Sequence, residues 1–386
     1  MKRITFYLMA ASIVVALGLA PLPPSLAGPA QAQECTEATV MAKRGSWKEG
    51  SADLHFAADV VPKNREAALL SKIDVIRDMF REAVPQPLGV NAEGYKSIKR
   101  YGSEIPGGPA TYGYISLYKT WLCNPTTHEL ELAGETGNWA TVYINSLHYL
   151  VTEVGEMSID GKPTMVYMLA RRIGELRGHT LYEAWGPWGA QERAVLFTRG
   201  DRLPFTPITQ RQYLDALELW WAAKLKAELE VLDEAIRVQE ANLADLKRTL
   251  TGEMRDKIVA EGERALAEVR AQKPKSDARL SAAVAEEIEY IHKYRATHPA
   301  AELEKPAFLP EPLKMRFRGE FWEEAKEGHL LVQIDLSYFE KDLPSEAAHL
   351  VMLHWRWERD SVPSQNWRQT LEGGFPLEKL SALLAR

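Results

Sequence analysis

The stretch from 207 to 300 limits the fold of this chain more than any other. No proline interrupts it between Pro207 and Pro274, and roughly a third of its residues are charged, with both signs interleaved. Leu225, Leu229, Leu232, Ile236, Leu243, Leu246 and Leu250 step by four and three, with Gln239 in the gap between 236 and 243. That repeat puts one apolar stripe along a helix whose flanks are soluble, so the stripe must be covered by another helix. Thr251-Gly252 offers a break. Ile258, Leu266 and Val269 mark a second helix, Lys273-Pro274-Lys275 a turn, and Leu280, Val284, Ile288 and Ile291 a third. Pro207 fits the first turn of the leading helix, with Thr206 as its cap. Helices joined by short turns fold back antiparallel, so a coiled-coil-like hairpin that docks another protein is expected. One straight helix dimerising in trans is the alternative.

Shorter runs flank this segment. In 33–206, Asn64 is placed to cap a helix reaching Val84, with Leu69, Ile73, Ile76, Met79 and Phe80 on one face. Strand-like runs follow at 112–123, 128–133, 139–147, 153–159, 164–173, 180–185 and 193–198. Asn124-Pro125 and Asp160-Gly161 supply turns. Short strands at this spacing read as an antiparallel meander with the early helix covering one face. In 301–386, prolines at 306, 310 and 312 mark a linker. Strands at 330–334 and 349–357 and a closing helix at 376–384 are expected to pack on the same body. The fold class is therefore α+β, with the helical hairpin inserted between strands. Two separate sheets are the other arrangement.

Residues 1–32 read as a secretory signal peptide. Lys2 and Arg3 precede an uncharged apolar run at 4–19, and Ala30-Gln31-Ala32 is a small-x-small cleavage site. The run is shorter than the ~20 residues that span a bilayer. The mature chain then begins at Gln33, in the periplasm or outside the cell, with no transmembrane anchor. Glu34 before Cys35 breaks the lipobox pattern. An oxidising compartment pairs the two cysteines, Cys35 and Cys123. Their bridge closes a loop of about 88 residues, roughly 4 kcal/mol in the chain-entropy picture.

The net charge of −6 over 386 residues argues against nucleic acid as the main partner. With 2 cysteines there is no Cys-rich metal or iron–sulfur site. The chain contains no G-x-S-x-G elbow, P-loop, H-E-x-x-H, C-x-x-C or dinucleotide fingerprint. His179 and Glu183 share a strand face but lie ~13 Å apart, too far for an acid–base pair. Glu129, Glu131 and Glu135 read as a solvated edge, and His349 and His354 fall on opposite strand faces, unsuited to a metal. Aromatic residues are the remaining signal, with 11 tryptophans. Trp185 and Trp188 lie on a Gly-Pro turn, and Tyr112, Tyr114 and Tyr118 line one strand face, with Ile115, Leu117 and Trp121 on the other. Flat aromatic surfaces with polar edges suit sugars or a partner protein. The expectation is a non-catalytic binding module without cofactor or metal, acting on an unknown protein or envelope component. An envelope hydrolase acting on sugar or peptide is the alternative.

Overall fold

The structure is a computed structural model that describes residues 35–54, 61–98, 108–186, 191–200, 202–310 and 315–384. The expected signal peptide lies outside the described residues.

In chain order the N-terminal elements are α1 (Glu37–Ala42), β1 (Trp47–Glu49), β2 (Asp53–Leu54), α2 (Glu66–Ala83), β3 (Val90–Ile98), β4 (Tyr112–Cys123), β5 (Leu130–Leu132) and β6 (Trp139–Ile144). Then come β7 (Val151–Ile159), β8 (Lys162–Leu169), β9 (Arg171–Leu176), β10 (His179–Glu183), β11 (Gln191–Thr198) and β12 (Phe205–Pro207). The helical part holds α3 (Gln210–Thr249), α4 (Gly252–Thr297) and α5 (Ala300–Leu303). The chain closes with β13 (Phe308–Leu309), β14 (His329–Ile334), β15 (Leu350–Trp357), α6 (Val362–Gly374) and α7 (Leu377–Ser381).

Two sheets form. The larger runs β1-β3-β4-β6-β15-β11-β10-β9, with β2 also on β3 and β5 on β4. Among the described residues only β1 and β2 pair in parallel, both with β3. The smaller runs β12-β14-β8-β7, with β13 on β14, and is antiparallel throughout. The class is the expected antiparallel α+β, but the order is not that of a meander. The β7–β8 hairpin leaves for the smaller sheet, and β15, from beyond the helices, fills the slot between β6 and β11.

One face of the larger sheet is covered by α2 and α6. Leu69, Ile73, Ile76 and Phe80 recur at steps of four and three and bury against Tyr112, Tyr114, Val351, Leu353 and Trp355. α2 follows a 3₁₀ turn at Lys63–Arg65, so Asn64 is inside that turn and does not cap the helix. Cys35 and Cys123 are bonded, with Cα atoms 5.5 Å apart, which ties α1 to the end of β4.

α3 and α4 form the expected antiparallel pair, with Thr251-Gly252 at the bend and Gly252 at φ 77°. Two local readings are corrected. Thr206 and Pro207 belong to β12, while Thr209 caps α3 through a reciprocal box with Gln212 at 3.2 and 3.0 Å. Lys273-Pro274-Lys275 is no turn: α4 runs unbroken through Pro274. Lys273 instead bonds Asp277 at 2.6 Å and reaches across to Asp233 at 3.1 Å. The stripe on α3 is half-buried apart from Leu243, which is buried; Gln239 is exposed, and on α4 Val269 is exposed too. At its base the pair is part of a core. Tyr213, Leu214, Leu217, Val284 and Ile291 pack on Val166, Met168 and Leu331 of the smaller sheet. The hairpin's two ends meet where the Gln210 amide donates to the Lys305 carbonyl at 2.9 Å. No helix among the described residues is long and apolar enough to cross a membrane.

Candidate functional site

The second face of the larger sheet carries the polar and aromatic side chains that the helices do not cover. Strand alternation sends Val351, Leu353, Trp355 and Trp357 of β15 into the core under α2 and α6, so His354 and Arg356 point the other way. Cross-strand pairing aligns Glu93, Leu117, Trp139, Arg356 and Glu192 in one row across five strands. The next row is Tyr95, Ile115, Thr141, His354 and Ala194. Glu93, Tyr95, Ile115, Leu117 and Trp139 are half-buried, forming a mostly apolar strip. At the other end Thr141, His354 and Glu192 are buried.

That buried end is a compact charged cluster. His354 Nε2 and Glu192 Oε2 are 2.9 Å apart, with side chains 0% and 1% exposed. Burial pushes the His354 imidazole below its ordinary range, and the attraction of Glu192 offsets this only in part. A neutral His354 therefore donates its Nε2–H to the carboxylate. Tyr149 stacks on the imidazole at 3.6 Å and 5°. Gly186 lies so close that a Cβ there would fall 1.9 Å from Glu192 Oε1. Arg356 holds its guanidinium 4.6 Å from the centre of the Trp139 ring. Its Nε is 3.9 Å from Glu192 Oε1, beyond hydrogen-bond reach. Glu192 Oε1, His354 Nδ1, Arg356 Nε and Nη1, Thr141 Oγ1 and Trp139 Nε1 are buried without a hydrogen-bond partner among the described residues. Buried polar atoms are nearly always paired, so this concentration of unpaired ones marks the corner out.

Chemically, a Glu–His pair is the orienting half of an acid–base relay. The other half is a nucleophile bonded to the free imidazole nitrogen, and none is bonded to His354 Nδ1 among the described residues. What the corner does offer is a mixture of donors and acceptors beside an aromatic ring, at the end of an apolar strip.

The aromatic candidates from the sequence fall elsewhere. Tyr112, Tyr114 and Tyr118 are 0% exposed, on the face that α2 and α6 cover. Tyr112 donates to the Glu346 carbonyl at 2.6 Å and Tyr114 to Glu49 at 3.2 Å, as core hydroxyls do. The ladder of tyrosines is therefore core rather than an open binding surface. Alternation predicted two faces correctly, but the covered one could not be chosen without knowing where α6 docks. Trp185 is half-buried beside His329, with ring centres 4.5 Å apart, and its amide donates to the Tyr149 carbonyl. Trp188 lies outside the described residues. His179 packs on Phe197 while Glu183 pairs with Arg171, so the two do not converge. Glu129, Glu131 and Glu135 are exposed. His349 is buried, and its amide donates to Asn145. Among the described residues no group of three or more His, Cys, Asp or Glu side chains could hold a metal ion. Sequence reasoning missed Trp139, Glu192 and Arg356. The available signal was a cation and a histidine alternating with Leu353, Trp355 and Trp357, which marks a strand whose second face is polar. No family model, curated protein or solved structure matches this chain.

Proposed function

We propose that this is an exported, periplasmic, non-catalytic binding protein whose ligand lies along the row from Glu93 to Glu192. The observation that carries this reading is the half-buried strip of Tyr95, Ile115, Leu117 and Trp139 leading to an Arg356–Glu192 ion pair whose facing atoms have no hydrogen-bond partner among the described residues. Apolar and aromatic surface supplies contact area, and a few fixed polar groups supply orientation. Export is supported by the charged-then-apolar opening, the Ala30-Gln31-Ala32 site and a disulfide of the kind kept in oxidising compartments.

Purified mature protein passed over immobilised peptidoglycan, polysaccharides and envelope extracts, with turnover scored in parallel, tests the reading. Retention without turnover is expected, and loss of retention on Trp139→Ala places the ligand on this face. Intact mass of the native protein should start at Gln33, in the periplasmic fraction. The buried Glu192–His354 pair favours one second reading, an envelope hydrolase. Turnover abolished by His354→Gln would replace the first reading with the second.

A further inference from the structure

We propose that the distal part of the α3–α4 hairpin pairs face to face with a second copy of this chain, the two hairpins running antiparallel. This goes beyond the ligand face of the larger sheet and does not depend on it. The hairpin has two broad sides of opposite character. Asp233, Glu240 and Lys247 recur every seven residues along α3 and meet Lys273, Arg270 and Glu263 of α4, with Asp233–Lys273 at 3.1 Å and Lys247–Glu263 at 2.7 Å. Val231 and Val238 also stand seven apart, but two positions earlier, about 200° round the helix. They therefore face the other broad side. On α4 the same two-residue offset turns Ala265 and Gln272 away from Glu263 and Arg270. Among the described residues the α3–α4 ion pairs keep to the first side, down to Glu218–His292 and Asp215–Arg295 at the base. On the second side Val231 is 68%, Val238 48% and Val269 37% exposed. Ala235, Asn242, Ala265, Gln272 and Ser276 beside them are exposed and uncharged.

Area, shape and charge commit this face to its own copy. From Lys224 to Asp245 it is about 33 Å long, and two helices make it about 20 Å wide. Pairing it with its like removes about 650 Å² per copy and about 1,300 Å² in all, enough for a stable interface. At the base the same side is already occupied. Tyr213 lies five turns before Val231, and Tyr290 five turns after Gln272. Phe321 packs on Tyr213, Phe317 on Tyr294, and Arg318 lies over Tyr290. Two copies running in the same direction would drive these shoulders into each other. An antiparallel pair avoids this, with a two-fold axis midway between Val231 and Val238. The second copy's tip then reaches about 23 Å along α3 from the axis, short of the shoulder at about 32 Å. That axis sets Val231 opposite the second copy's Val238. It also sets Lys224 opposite Asp245 and, through the hairpin's own register, Arg279 opposite Glu268, each twice. Glu261 meets a like charge, Glu286, at the outer ends.

Sedimentation velocity of the full mature chain across the micromolar range tests this, and a species of twice the chain mass is expected. Val231→Glu with Val238→Glu places charge in the apolar contact and should raise the dissociation constant by about tenfold or more. Helical circular dichroism should not change, because both valines are exposed in the single copy. Leu219, two heptads before Asp233 and 57% exposed, lies on the opposite side of α3, so Leu219→Glu should leave the dimer intact. A charge swap probes the pairing without touching the valines. Lys224→Glu should weaken the dimer, and adding Asp245→Lys should restore it. Orientation is read by oxidative cross-linking: a Val231→Cys copy mixed with a Val238→Cys copy should link faster than either copy with itself. A monomer at every concentration overturns the inference, and so does a dimer indifferent to the paired glutamates and to the charge swap. Faster linking of each cysteine copy with itself overturns the antiparallel pairing.

Discussion

His354 carries a proton only at the expense of its burial. Its folded value is lowered from the ordinary 6.5, first by loss of solvent, with Glu192 opposing, and that of His349 is lowered in the same direction, again first by burial. The unfolded chain therefore takes up protons first as pH falls through 6.5, so acid favours unfolding and stability rises with pH across that window. Urea unfolding at pH 7.5 and 5.5 should show wild type losing stability at the lower pH. His354→Gln should lose less; an equal loss in both proteins would remove His354 as a cause. Gly94 is a second residue-scale test. A Cβ there would lie 1.7 Å from the Tyr114 hydroxyl, so Gly94→Ala should cost about 1–3 kcal/mol, read from the urea midpoint. In the sequence His354 stood out only as an unsuited metal ligand, and Gly94 not at all. The tyrosines of β4 did, because alternation is local, but their depth depends on α2 and α6, which pack on β4 from remote parts of the chain. The chemistry of Arg356 and Glu192 was hidden for the same reason, since 164 positions separate them and only β11–β15 pairing joins them.

The helices show which local rules survive tertiary context. The seam on α3 and the bend at Thr251-Gly252 were readable because both are properties of consecutive residues. Pro274 was read as a turn because proline removes one helical hydrogen bond and crowds the preceding turn, roughly 3 kcal/mol in a helix interior. The finding is an α4 that continues unbroken through Pro274, and the register explains it. Leu266, Lys273 and Leu280 are seven apart, so continuing the helix keeps the buried Leu266 and the half-buried Leu280 on the side facing α3. A turn at 273–275 would forfeit that and the Lys273–Asp233 pair. Pro274→Ala should therefore stabilise the distal hairpin. Hydrogen exchange at 268–280 is expected to slow by about tenfold or more; unchanged exchange would mean that the proline costs nothing there.

Across the whole molecule, the hairpin is both projection and core. Its far part touches little besides itself, while Tyr213, Leu217, Val284 and Ile291 belong to the core of the smaller sheet. Replacing 226–279 by a short loop should leave a protein with cooperative unfolding and native near-ultraviolet circular dichroism. Removing 210–298 should strip that sheet of its apolar cover and yield aggregate. If the larger deletion folds as well as the smaller, the helical base is dispensable. Cys35→Ser should lower stability by up to roughly 4 kcal/mol, measured against wild type in urea without reductant. The position of β15 has a consequence for how such a chain is made. Ile144 of β6 must wait for Val351, and Val195 of β11 for Leu353. A chain delivered amino end first thus keeps two unpaired backbone edges while the entire hairpin is still being threaded out. Such edges are templates for the wrong partner. A nascent chain halted before residue 350 should accordingly be the species that sheds into aggregates or occupies a holdase, and release should come with the arrival of eight residues.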